Sequence, residues 1–338
     1  MRKLATIQLV DNITLIENSD NIELATIKGW NVVVKKNTFK VGDLSVYFEI
    51  DSFLPIRLWS SFLTAAIKPK KIILEGIGEI EGLRLKTKKI RGVISQGLLL
   101  PIKDFTELLD KTLEIDQDIS EILGVYKYEC PVPISMGGKA KGNFPELFPK
   151  SDEERIQNLK PYLSQYIGKS FAVTEKLDGS SCSMYHYQGH KGVCSRNLEL
   201  EEDYSNIYWK TAKKYLENIP EGYMVQCELV GEGIQKNPLK LRGQDLYCFY
   251  VYKIDTQRYL DFYEMETFCE NIGIDMVPTV YKPFIFNHSV QELLELANGS
   301  SLLNPNVIRE GLVFRLLGSP EKVSFKAISN NYLLNDNS

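Results

Sequence analysis

Cysteine and histidine are scarce in this 338-residue chain, at six and three residues. The cysteines, Cys130, Cys182, Cys194, Cys227, Cys248 and Cys269, lie far apart and form no Cys-x-x-Cys pair. That spacing argues against a zinc site and a small disulfide scaffold, and it reads as reduced thiols in a cytoplasmic protein. No stretch approaches the ~18 consecutive apolar residues needed to span a bilayer. The amino-terminal MRKLATIQLVDN meets Asp11 before an apolar signal core has formed, so neither a membrane anchor nor a targeting segment is expected. Charge of one sign is also missing: 40 Lys and Arg stand against 44 Asp and Glu, a net of −4. A polyanionic partner must therefore be held by a local patch and not by a general field. With 43% hydrophobic and 25% charged residues, the chain is neither disordered nor collagen-like, and its length fits about two domains.

What is present begins with β-structure. ATIQLVDNITLI, NIELATI, WNVVVKK and DLSVYFEID are β-branched and aromatic, partly alternating, and separated by turn formers. Short strands at such spacing predict a small antiparallel barrel or sandwich. Within residues 68–91, eight cations (Lys68, Lys70, Lys71, Arg84, Lys86, Lys88, Lys89 and Arg91) face three carboxylates, Glu75, Glu79 and Glu81. The stretch reads either as a solvated hairpin face or as a groove that neutralises nucleic-acid phosphates. Phe105 to Leu123 reads as helical and acidic. Four prolines and three glycines in residues 131–149 then mark a linker or an ordered crossover, where a domain boundary is expected. Beyond it, Ser151-Asp152-Glu153-Glu154 reads as a capped helix start, and Trp209, Ala212 and Leu216 form a helical stripe. The apolar strands YMVQCELV, LYCFYVYKI, GLVFRLL and KVSFKAI complete a mixed α+β pattern with an antiparallel-leaning sheet.

The most informative string is Glu175-Lys176-Leu177-Asp178-Gly179-Ser180-Ser181, between two strand-like runs. Taken alone, its Asp-Gly pair is an ordinary hairpin turn. It is followed in order by Ser195-Arg196-Asn197, by Glu228-Leu229-Val230-Gly231 with the extension Glu232-Gly233-Ile234-Gln235-Lys236-Asn237, by Phe249-Tyr250-Val251-Tyr252-Lys253-Ile254, by Glu310-Gly311-Leu312-Val313, and by Lys322-Val323-Ser324-Phe325-Lys326. This ordered series resembles the nucleotidyltransferase motifs of covalent ligases and mRNA capping enzymes. The extension after the third motif, together with GWNVVVKKNTFKVGDLSVYFEID near the amino terminus, is similar to the nick-sealing ATP-dependent RNA ligases that carry an OB-like domain in front. The resemblance implies an OB-like nucleic-acid-binding domain over 1–125, a Pro/Gly-rich linker over 126–150 and a nucleotidyltransferase domain over 151–338.

The same resemblance assigns roles. Lys176 is the nucleophile that attacks the α-phosphate of ATP and carries AMP as a lysyl adduct. A lysine amine attacks only when neutral, and its reference pKa is ~10.4, so cations and desolvation around Lys176 are expected to depress it. Arg196 and Lys326 would stabilise the phosphorus in flight, and Asp178, Glu228 and Glu310 would hold Mg²⁺ or Mn²⁺, partly through waters. Tyr252 would stack on the adenine, Glu175 would contact its edge through the main chain, and Arg155 would reach the leaving phosphates. Lys86, Lys88, Lys89 and Arg91 are the candidate RNA contacts. Where many ligases have a first lysine in the last motif, this chain has Ser324, with Lys322 two residues earlier.

The expected activity is the joining of RNA 3′-hydroxyl and 5′-phosphate ends, with a nicked duplex as partner, no membrane, and a monomeric enzyme. The alternatives are a DNA ligase, a capping-type enzyme or a non-catalytic nucleic-acid-binding relative. The relatives of the first two kinds place an OB domain after the last motif, and twelve residues after Lys326 weigh against both. The full set of charged motif residues weighs against the third.

Overall fold

The computed structural model describes residues 2–74, 78–128, 138–319 and 321–335. The chain divides into two compact units: Met1–Pro131 with Gln157–Pro161 and Leu333–Ser338, and Val132–Ile156 with Tyr162–Tyr332.

The first unit is built from short antiparallel strands. Ala5–Leu9 and Leu98–Pro101 flank Leu44–Phe48, Asn12–Leu15 pairs with Ile22–Ile27 and that with Trp30–Lys35, and Ser52–Pro55 pairs with Gly78–Arg84. Alternation decides the buried face: Trp30, Val32 and Val34 go inward from one strand, Ala25 and Ile27 from its neighbour. A second core gathers Ile7, Val46, Phe48, Leu54, Leu83 and Phe105, with Phe48 stacked on Trp59 at 5.1 Å.

The helix expected over Phe105–Leu123 does not form. The chain makes 3₁₀ turns at Ile102–Asp104 and Thr106–Leu108, then one α-turn at Ser120–Leu123 that ends on left-handed Gly124. Asp110 and Asp116 adopt positive φ, and no residue between Leu108 and Ile119 is buried, so no helical stripe runs through the segment.

The second unit holds two sheets. The seven-stranded sheet runs Ala140–Asn143, Leu198–Leu200, His190–Cys194, Ser180–Tyr187, Tyr223–Gly231, Gln244–Lys253 and Arg258–Tyr259. The five-stranded sheet runs Glu154–Arg155, Ser324–Ile328, Gly311–Leu316, Ser170–Lys176 and Thr279–Ile285, antiparallel apart from its first pair. Helix Ile207–Leu216 buries the expected Trp209, Ala212 and Leu216, and Asn206 caps it by accepting from the Tyr208 amide. Phe262–Ile272 and Val290–Ala297 both start on capping boxes.

The helix expected from Ser151 is also absent at its start. Glu154–Arg155 is extended and bridges Phe325 and Lys326, and a 3₁₀ segment, Ile156–Tyr166, follows. The reason is tertiary: the Asp152 and Glu153 carboxylates find ammonium partners on the distant Lys326 and Lys322 in place of the amides of a helix N-terminus. Part of the Pro/Gly-rich stretch, residues 131–137, lies outside the described residues, as does Cys130. The rest joins the second unit, with Phe144 and Phe148 buried against Tyr185. No described helix is long and apolar enough to cross a membrane.

Candidate active site

Lys176 ends a strand of the five-stranded sheet, and Ser180 begins a strand of the seven-stranded one. The Lys-Leu-Asp-Gly string is therefore a crossover between two sheets and not the turn of a hairpin. Gly179 is required by space, because a Cβ there would stand 2.3 Å from the Leu229 carbonyl oxygen. The crossover delivers Lys176 to carboxylates brought from far along the chain. Its Nζ lies 2.6 Å from Glu310 Oε2, at the start of Gly311–Leu316. Glu228, from the middle of Tyr223–Gly231, and Asp178 also act on it electrostatically.

The expectation that Lys176 is depressed does not hold for the protein without nucleotide or metal. Burial pulls its pKa down, but Glu310, Glu228 and Asp178 outweigh burial and raise it. Burial pushes Glu228 up to about 8 against the pull of Lys176, with Glu310 and Asp178 adding like-charge repulsion. Three carboxyl groups thus crowd one ammonium, and burial keeps a proton on Glu228. Among the described residues no three or more His, Cys, Asp or Glu side chains have the spacing of a direct metal shell.

A cationic side stands next to this acidic one. Lys326, on Ser324–Ile328, is 9% exposed, and burial brings its pKa down to about 8 while Asp152 opposes the fall. The Asp152 carboxylate bridges two cations, with one oxygen 2.9 Å from Lys326 Nζ and the other 3.4 Å from Arg196 Nη2. The sequence offers Asp152 only as part of a helix start, because Lys326 and Arg196 lie far along the chain. Arg155 is buried and pairs with Lys326 across the parallel bridge.

A family model for an OB-fold domain matches residues 4–102, and one for RNA ligase matches residues 169–328. Among solved structures, Naegleria gruberi RNA ligase with pyrophosphate is 40% identical, covers 99% of each chain and superposes with a TM-score of 0.90. Mutants of the same ligase with ATP and manganese, and with AMP and manganese, are each 40% identical over 98% of both chains, with TM-scores of 0.89. No curated protein sequence matched. The chain belongs to the RNA ligase family.

In this RNA ligase the first-lysine position of the last motif is filled by a network. Lys322 Nζ lies 3.0 Å from Glu153 Oε1 and sits over the rings of Tyr250 and Tyr259 at 4.2 and 5.0 Å. Ser324 donates to the other oxygen of Glu153 and accepts from the Tyr250 hydroxyl at 2.9 Å. Despite burial, Lys322 and Ser324 hold the Glu153 carboxyl below its usual range. The Lys322 ammonium is thus committed to Glu153 and the ligase's tyrosine rings.

The base-stacking role expected of Tyr252 does not fit its placement. Tyr252 is 7% exposed among Phe144, Phe148, Tyr185 and Met224. It pairs with Met224, four residues from Glu228, which is ~13 Å along a strand. Directly opposite Glu228 is Tyr247, half-buried beside Leu177 and Phe249. A β-bulge between the Gln226–Tyr250 and Cys227–Cys248 pairs shifts the register by one residue, so Tyr247 and not Cys248 faces Glu228. Glu175 turns its side chain into the protein: its Oε2 accepts from the Leu302 amide at 2.6 Å, and its own amide donates to the Pro278 carbonyl.

On the OB-fold unit the basic stretch splits. Arg84 pairs with Asp51 at 2.9 Å and Lys71 with Glu79 at 2.7 Å, while Lys70 and Arg84 stand over the Tyr128 ring. Lys88, Lys89 and Arg91 are exposed on a separate hairpin, Lys88–Ile90 with Val93–Ser95. Its turn residues Arg91 and Gly92 both have positive φ, as a two-residue hairpin turn demands. Lys86 is half-buried.

Proposed function

We infer that this ATP-dependent RNA ligase joins 3′-hydroxyl and 5′-phosphate ends at nicks in RNA-containing duplexes, and that Lys176 carries the AMP. The observation that carries the reading is the juxtaposition of an acidic pocket around Lys176 with Lys326 and Arg196, two cations bridged by one carboxylate. A carboxylate held by two cations marks a place where a nucleotide phosphate is favoured.

In the first step the Lys176 amine attacks the α-phosphorus of ATP. A nitrogen–phosphorus bond forms, the bond to the bridging oxygen of the β-phosphate breaks, and pyrophosphate leaves. Lys326 and Arg196 turn from Asp152 to the phosphate and stabilise its charge, while Arg155 faces the leaving group. In the second step the RNA 5′-phosphate attacks the same phosphorus, giving a 5′–5′ pyrophosphate linkage and freeing the lysine. In the third the 3′-hydroxyl attacks the activated phosphate and AMP leaves. Tyr247 is the aromatic beside the base, since it stands opposite Glu228 and next to Leu177.

The carboxyl groups fit a divalent cation: Asp178, Glu228 and Glu310 offer oxygen donors only, and they repel one another until a cation joins them. Without the spacing of a direct shell, they would hold Mg²⁺ or Mn²⁺ partly through waters and phosphate oxygens. When bound, the ion supplies positive charge that relieves the carboxylates' hold on the Lys176 proton. The exposed Lys88, Lys89 and Arg91 hairpin supports RNA binding by the OB-fold unit. We place the enzyme, as a monomer, in a reducing intracellular compartment, where its five described thiols stay buried.

The test is a set of nicked duplexes with RNA or DNA on each strand, sealed with ATP and Mg²⁺. Sealing of the RNA nick well above the all-DNA nick, through an AMP-capped intermediate, is expected. Equal sealing of DNA would overturn the RNA assignment.

A further inference from the structure

The RNA ligase match stops at residue 328, yet the chain makes one more turn that returns to the site. The Ser329 amide donates to the Glu310 carbonyl at 2.9 Å. The fully buried Ser329 hydroxyl donates to Asn298 Oδ1 at 2.8 Å and accepts from the Tyr332 amide at 3.1 Å. The short helix Asn330–Asn335 then turns the Tyr332 phenol onto Asp178, whose carboxylate accepts its hydrogen bond. Glu310 and Asp178 both act on Lys176. One turn thus grips the backbone of the first and the carboxylate of the second.

We propose that Tyr332 is a positioning residue of the adenylylation site, whose phenol fixes the Asp178 carboxylate in the orientation that a divalent cation on ATP requires. The proposal rests on reading Asp178 as part of the metal-holding set. A phenol suits the task because it is a neutral donor. It orders the carboxylate without neutralising it, where a lysine in the same place would compete with the cation. Fixing the rotamer in advance spares the cation that ordering cost when it binds.

The experiment compares wild type, Tyr332→Phe, Asp178→Ala and the double variant in the full-length protein. Manganese binding is measured by electron paramagnetic resonance in the presence of α,β-methylene-ATP, which cannot transfer AMP to the lysine. Tyr332→Phe should weaken Mn²⁺ binding roughly tenfold, the loss typical of one hydrogen bond to a charged group. In self-adenylylation with ATP it should raise the half-saturating metal concentration while the rate at saturating metal recovers. The double variant should bind metal no more weakly than Asp178→Ala alone, since the phenol acts only through that carboxylate. Additive losses in the double variant, or a Tyr332→Phe loss that persists at saturating metal alongside a lowered Tm, would overturn the proposal. If Asp178→Ala itself leaves Mn²⁺ binding unchanged, the reading of Asp178 fails. If Asp178→Ala weakens it and Tyr332→Phe does not, the positioning role alone fails.

Discussion

Raising the pH should switch off nucleotide capture through one residue, Lys326. Burial brings its pKa down from 10.5 to about 8, Asp152 resists, and Arg155 and Lys176 add to the fall. Below that value the side chain is an ammonium facing the phosphate; above it the charged fraction falls about tenfold per pH unit. Because kcat/KM reports ionisations of the free enzyme, kcat/KM for ATP in self-adenylylation should fall above about pH 8 with that slope. Asp152→Asn removes the one influence that raises the pKa, so the alkaline limb should move to lower pH. Lys326→Arg keeps a charge throughout the range, so the limb should vanish even where the overall rate is lower. Stability should move the other way. Between about 8 and 10.5 the folded protein binds fewer protons at Lys326 than the unfolded chain, so this group's contribution to stability grows as pH rises through that window. Activity should therefore be lost without a loss of Tm from this residue. An alkaline limb that stays in place in both variants would refute the assignment.

Three further outcomes follow from other parts of the site. Because Glu228 is pushed up to about 8, it carries a proton at pH 7, so adding Mn²⁺ with ATP should release protons that an indicator dye detects. Glu228→Gln should lower that release by the Glu228 share, leaving the proton that Lys176 gives up, and an unchanged signal would contradict the protonated state. Tyr247→Ala should raise KM for ATP through loss of base stacking worth about 1–3 kcal/mol. Tyr252→Ala should instead cost about 3–5 kcal/mol of stability with KM little changed; thermal melts and ATP titration separate the two. Charge reversal of Lys88, Lys89 and Arg91 should leave self-adenylylation intact while lowering the salt slope of RNA binding by up to about 3. An unchanged slope would return the hairpin to a solvated surface.

The motif series could be read from the sequence because each string binds chemistry to a short span: Lys176 with Asp178, Glu228 inside an apolar strand, Lys326 at the end of the last motif. The β-rich first unit and the Trp209–Leu216 helix could be read because their periodicities are local. What was hidden is what depends on distant partners. The raised pKa of Lys176 comes from Glu228 and Glu310, which no spacing brings near it. Asp152 and Glu153 looked like helix-starting acids because Lys326 and Lys322 lie far along the chain. A single bulged residue puts Tyr247 and not Cys248 opposite Glu228, a shift that no alternation count reveals. The acidic Phe105–Leu123 stretch misled because its apolar residues feed a barrel core and not a helical face.

The most direct test of the account is the covalent adduct itself. Purified protein incubated with ATP and Mg²⁺, denatured, digested and mapped by mass spectrometry should carry AMP on Lys176, and Lys176→Ala should carry none while retaining its fold. AMP on another residue, an adduct in the alanine variant, or labelling by GTP equal to that by ATP would contradict it.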